Sequence, residues 1–141
     1  MLATGHISAD EHYAVVKGFA RSGKVRVTHA GEQRGGPRLS PEQCAELSNL
    51  GALVEITAMN CQSMYAVPGK SIDEVVGILR AVGPDRCTVS TDYGWASAGI
   101  PRPVSGFLEF LEGLWQMGLP EKDLVAMASA VPSRLLELPF A

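Results

Sequence analysis

The chain has 141 residues, 46% of them hydrophobic and 19% charged, with a formal net charge of -3. A domain of this length buries about two-thirds of its unfolded surface, so a core forms without disulfides or a structural metal, and the hydrophobic content excludes disorder. No apolar run reaches the ~18 residues of a membrane span, and the weak negative charge gives no general pull toward nucleic acid or anionic lipid, so neither is an expected partner.

In chain order, an apolar run at residues 2–5 reads as an opening strand. Ser8 with Glu11 three residues on forms a capping box, in which the two side chains satisfy orphan N–H groups of a helix start. The helix presents Tyr13, Val16, Phe19 and Ala20 on one stripe and stops at Gly23. A strand follows at residues 25–29. A second box, Ser40 with Gln43 and Pro41 at the first helical position, opens a helix with Cys44, Leu47 and Leu50 on its stripe and Gly51 as its stop. The next strand spans 53–57. A third box, Ser71 with Glu74, opens a helix bearing Val75, Ile78, Leu79 and Val82, stopped by Gly83. A fourth strand at 87–91 is followed by helices at about 104–117 and 121–130, after which Pro132 opens a short terminal turn through Leu136.

Strand and helix thus alternate in units of about 30 residues. That order implies a parallel sheet with right-handed crossovers, in a (β/α) barrel or a doubly wound sheet. Connections from helix to strand are tight. Those from strand to helix, at 30–39, 58–70 and 92–103, are long, which places a binding face at the carboxyl ends of the strands.

Three residues carry candidate chemistry on that face. His6 follows the first strand, His29 ends the second and Asp92 ends the fourth. Adjacent parallel strands lie about 4.8 Å apart, so two imidazoles and a carboxylate can share one divalent ion. Zinc is the expected metal, with manganese or iron as alternatives; it would acidify a water, and Asp92 would accept the proton. Period-two alternation from His29 turns Val25 and Val27 to the inner face, with Glu55, Thr88 and Ser90 on neighbouring strands. Glu55 reads equally as a site carboxylate or as an ion-pair partner. Arg34 and Arg38, in the loop GEQRGGPR, either grip a substrate carboxylate or phosphate or are solvated surface arginines. Tyr93, Trp95 and Arg102 either shape a substrate pocket after Asp92 or pack the loop. His12, in the first turns of a helix, is expected at the surface. The three cysteines, Cys44, Cys61 and Cys87, fit no metal spacing and read as free thiols in a reducing compartment. No basic segment followed by an apolar one signals secretion, so the cytoplasm is the expected location.

At these residues the sequence resembles a known family. LATGH at residues 2–6, VTHA at 27–30 and STDYG at 90–94 are similar to the fifth, sixth and eighth strands of the amidohydrolase superfamily, and PSRLLEL at 132–138 is similar to its common ending. The resemblance covers nearly the whole chain and implies the C-terminal half of a (β/α)8 barrel: one domain, residues 1–141, with four parallel strands and flanking helices. It implies metal-dependent hydrolysis of an amide, ester or similar bond in a small molecule, with His6 and His29 as metal ligands and Asp92 as ligand and proton acceptor. The superfamily's strand-one His-x-His pair has no counterpart here. The expected partners are therefore a small-molecule substrate and either a second copy of the chain or a front-half barrel. The competing reading is a non-catalytic half-barrel that serves as a binding or assembly subunit.

Overall fold

The computed structural model describes residues 1–21, 24–33, 35–62, 69–94 and 99–138. Four strands, β1 (Leu2–Ala3), β2 (Val25–Val27), β3 (Leu53–Thr57) and β4 (Cys87–Ser90), form one sheet in the order β1-β2-β3-β4. Every pair is parallel, with Val27 beside Val54 and Val54 beside Cys87. Helices α1 (Ala9–Phe19), α2 (Pro41–Asn49) and α3 (Ile72–Val82) connect successive strands, and α4 (Pro103–Gln116) follows β4. Of the two arrangements that the alternation allows, the sequential strand order is that of half a (β/α)8 barrel and not of a doubly wound sheet, whose order reverses.

All three capping boxes form. Ser8, Ser40 and Ser71 each accept the N–H of the residue three positions on, and the side chains of Glu11, Gln43 and Glu74 each accept the N–H of their serine. Gly51 and Gly83 take positive φ values of 108° and 88° beyond α2 and α3, the backbone that ends a helix without a Cβ clash. The predicted stop at Gly23 lies outside the described residues.

One face of the sheet is wholly apolar. Val25, Val27, Val54, Ile56, Cys87 and Val89 pack on it against Val16, Leu47, Val75 and Leu114 of the helices. The expected phase of β2 is therefore reversed: Val25 and Val27 face the helices, and Arg26 stands on the other face. The strand stops earlier than the apolar pattern suggested. The Thr28 N–H goes to Thr4 Oγ1, 3.0 Å away, instead of continuing the ladder, and His29 turns to φ 54°. Alternation cannot be counted across such a turn. Two predicted stripe residues, Phe19 and Leu50, are 53% and 43% exposed, since each falls at the outer end of its helix.

The C-terminal segment also differs from expectation. It runs as α5 (Glu121–Val125), a π-helical stretch (Ala126–Ala130) and α6 (Val131–Leu136), not as a helix broken at Pro132. A proline has no N–H for the carbonyl four residues back and its ring collides with that carbonyl, and the widened turn before it removes the collision. This segment crosses the amino ends of the strands. The Lys24 ammonium donates to the carbonyls of Arg134 and Leu135, each at 3.2 Å, and pairs with Glu137 at 2.9 Å. Its positive charge caps the carboxyl end of α6. Among the described residues no helix is long and apolar enough to cross a membrane.

Candidate functional site

Each candidate ligand sits in a connection that leaves the carboxyl edge of the sheet. His6 lies between β1 and α1, beyond Gly5 at φ 71°. His29 and Asp92 follow β2 and β4, and both hold positive φ, 54° and 59°. Such backbone is uncommon without glycine, is tolerated best by Asp, Asn and His, and gathers at functional sites. At β4 the turn is set locally, because the Thr91 hydroxyl accepts the Tyr93 N–H at 3.2 Å.

These turns bring the three residues together. The His6 and His29 rings stack with centroids 4.3 Å apart and planes 25° from parallel. His29 Nδ1 lies 3.9 Å from Asp92 Oδ2. The His29 side chain is only 11% exposed, while that of Asp92 is 45% exposed, so the pair joins a buried nitrogen to an open carboxylate. His29 Nδ1 is buried and has no hydrogen-bond partner among the described residues. A buried ring nitrogen beside a carboxylate is a donor position that an ion or a water can use. Two imidazoles and a carboxylate are the right donors for a divalent ion. Their arrangement is side by side, and among the described residues no group of three His, Cys, Asp or Glu side chains has the geometry to hold a metal.

Glu55 stands apart from this cluster, in the middle of β3 on the open face of the sheet. It is 6% exposed, pairs with Arg26 at 3.3 Å and accepts the Ser90 hydroxyl at 3.2 Å. The ion pair read for Glu55 is present. The network borders an open cavity of about 350 Å³, whose apolar walls include Phe107, Pro132 and Leu136. Among the described residues Arg26 Nε, Thr28 Oγ1, Asn60 Nδ2 and Thr88 Oγ1 are buried without hydrogen-bond partners, as His29 Nδ1 is. All of them lie on the open face or at the carboxyl edge.

The other predicted residues spread out. Arg38, at φ 55°, is exposed and donates from Nε to the Gln33 carbonyl at 2.7 Å, bracing its own loop. Arg102 is exposed at the start of α4, where its carbonyl accepts the Gly106 N–H at 2.8 Å. Tyr93 packs against α4 and not beside the histidines. Its hydroxyl accepts from Gln62 Nε2 at 3.2 Å, and burial pushes its pKa up. A Cβ on Gly106 would lie 2.5 Å from the Tyr93 ring, so the glycine makes room for it. Arg34 and Trp95 lie outside the described residues. Cys44 and Cys87 are buried free thiols and Cys61 is a half-buried one.

His12 reverses its expectation. It is fully buried, with Nε2 at 2.9 Å from Thr4 Oγ1 and Nδ1 at 2.9 Å from the Ser8 carbonyl. A histidine eight residues beyond a strand-end threonine was the available signal. The helical pattern hid it, because the first turn of α1 dips under the loop that carries His6.

No family model matches the sequence, and no curated protein matches it. Among solved structures, the chain is similar to the crystal structure of the Agrobacterium tumefaciens protein ATU3138 in its apo form, with a TM-score of 0.62 at 14% identity. The match covers 99% of this chain and 50% of that one, so the chain spans about half the length of that structure. At this identity the likeness is one of fold.

Proposed function

We propose that the chain is the metal-bearing half of a metal-dependent hydrolase of the amidohydrolase type, acting on an amide or ester bond of a small molecule. One observation carries the reading. Three separate strand-to-helix connections gather His6, His29 and Asp92 around one residue at the carboxyl edge: His29 stacks on His6, and its Nδ1, without a hydrogen-bond partner among the described residues, lies 3.9 Å from the Asp92 carboxylate. His6, His29 and Asp92 would hold the ion, zinc first and manganese or iron as alternatives. When bound, such an ion supplies Lewis-acid activation of water and of the scissile carbonyl.

The chain's own residues have definite parts in this reading. His29 is the fixed member, buried in its turn. His6 is the exposed member and would supply the second imidazole. Asp92, exposed and adjacent to His29 Nδ1, is the proton acceptor. Calorimetric titration of zinc(II) into protein stripped with a chelator tests the proposal. Saturable one-to-one binding and metal-dependent hydrolysis of small esters or amides are expected. Absence of binding would sink it.

The second reading, a binding or assembly half, also has a specific observation in its favour. Among the described residues β4 pairs on one side only, and the helix that follows it exposes Val104, Leu108 and Trp115 at 76%, 62% and 60%. Their spacing of four and seven residues lines them on one stripe of α4. Together with the orphaned atoms of the open face, this surface suits a second (β/α)4 half, either another copy or a front half. Sedimentation of the purified chain distinguishes a self-paired species from a monomer.

A further inference from the structure

We infer that His12 is a positioning residue: its buried imidazole clamps the two backbone segments that carry His6 and His29 and so holds those histidines in contact. The inference rests on reading the His6–His29 pair as the site.

The hydrogen bonds fix the tautomer of the neutral ring. The Ser8 carbonyl oxygen lies 2.9 Å from His12 Nδ1 and also accepts the His12 N–H at 3.0 Å. A carbonyl only accepts, so Nδ1 carries the proton. In the neutral ring Nε2 is then the acceptor, and its neighbour at 2.9 Å, the Thr4 hydroxyl, donates to it. The Thr4 oxygen in turn accepts the Thr28 N–H at 3.0 Å. One directed chain results: Thr28 N–H to Thr4 O–H, to the His12 ring, to the Ser8 carbonyl.

The ends of that chain locate its effect. Thr4 and Ser8 bracket the segment 5–7, which carries His6. Thr28 immediately precedes His29 and marks the place where β2 gives up its ladder. A ring that is 0% exposed therefore ties the first turn of α1, the end of β1 and the end of β2 at a single point. The two stacked rings at 4.3 Å project from either side of that point. A histidine that only filled space would need neither ring nitrogen bonded, whereas His12 bonds Thr4 and Ser8 on either side of His6, and through Thr4 reaches the residue before His29.

Nuclear magnetic resonance on ¹⁵N-labelled protein tests this without metal or substrate. Long-range ¹H–¹⁵N correlations are expected to show His12 with Nδ1 protonated and Nε2 bare. Thr4→Val deletes the hydroxyl with little change of shape. It is expected to remove most of the ring-current displacement of the His6 ring protons and to speed amide exchange over residues 5–7, whereas Thr4→Ser restores both. His12→Phe is expected to act in the same direction, and adding Thr4→Val to it should change little more, because both break one chain. Where His12→Phe does not fold, the two Thr4 variants carry the test. An Nε2-protonated ring, or wild-type His6 shifts in Thr4→Val, would overturn the clamp. If the wild-type protein shows these shifts yet binds no zinc(II), the clamp stands and the metal reading falls.

Discussion

His29 Nδ1 reaches to 3.9 Å from Asp92 Oδ2 although the two residues leave strands β2 and β4, which have β3 between them. Strands two apart in a sheet are about 9.6 Å from each other, so neither side chain spans the gap from an extended backbone. Both residues turn left-handed, at φ 54° and 59°, and the chain after β3 winds away into a 3₁₀ turn at Ala58–Cys61. The contact is made by backbone geometry that costs about 1 kcal/mol or more per residue and is retained.

That geometry chooses the variants. Asparagine tolerates left-handed backbone nearly as well as aspartate or histidine. His29→Asn and Asp92→Asn should therefore change folding stability by less than about 1 kcal/mol. Each should weaken zinc(II) binding at least about 100-fold, beyond the range seen on losing an outer-shell partner. Urea unfolding and calorimetry on the same samples check both halves of this expectation.

A second route to the site runs through its neighbouring loop. A Cβ on Gly36 would lie 2.7 Å from the His29 carbonyl oxygen and 2.5 Å from the Glu32 Cβ. Gly36→Ala must push against the turn that presents His29. A loss of about 1–3 kcal/mol is expected, as for other forced overpacking. Loss of the His6–His29 ring-current signal should accompany it, read from the imidazole protons.

The open-face ion pair is expected to show the asymmetry of buried charges. Removing the carboxylate by Glu55→Ala strands Arg26 and deprives the Ser90 hydroxyl of its acceptor. Arg26 is 27% exposed, so water recovers part of the loss, and a cost of about 2 kcal/mol is expected. The double variant Arg26→Met, Glu55→Leu should be closer to wild type than Glu55→Ala alone, because it leaves no charge unpaired. Denaturant midpoints for the three proteins decide this.

Acid should unfold the protein partly through its helix starts. Hydrogen bonds from Ser8 and Ser71 hold the Glu11 and Glu74 carboxyls below their ordinary range, and Lys24 does the same for Glu137. A depressed value means that the folded state binds fewer protons, so this stabilisation is complete above the unfolded value and fades as pH falls through the folded one. The urea midpoint should fall between about pH 5 and pH 3, and Glu11→Gln with Glu74→Gln should flatten that fall.

The thiols should be inert in the folded state. Burial pushes Cys44 and Cys87 up to about 12 and Cys61 up to about 11. At pH 8 almost no thiolate is present, and the thiolate is the nucleophile. A chromogenic disulfide reagent should react with none of the three at a measurable rate until denaturant is added, with Cys61 the first to respond.

Much of the fold was legible because it is written in local rules. Ser8, Ser40 and Ser71 announced the helix starts, since a capping box uses only four consecutive residues. The ends of the elements were less legible. β2 stops at Val27, where the Thr4 side chain, just beyond β1, takes the Thr28 N–H, and nothing near residue 28 in the sequence says so. The left-handed turn at His29 breaks the count of alternation, so Val25 and Val27 lie on the face opposite to the one assigned from His29. The continuous run from α5 to α6 through Pro132 depends on a π-helical turn that no composition signals.

The candidate site divides along the same line. The sequence by itself determined which residues stand at the carboxyl edge, because strand order and a regular βα alternation put His6, His29 and Asp92 there whatever the packing. Only the tertiary structure decided that His29 meets both His6 and Asp92, that Glu55 is bound to Arg26, that Tyr93 turns toward α4, and that His12 is buried against Thr4 and Ser8. The physical reason is reach. Periodicity and capping act over a few residues, whereas left-handed turns, buried hydrogen bonds and ion pairs join residues tens of positions apart, and their partners exist only once the sheet has formed.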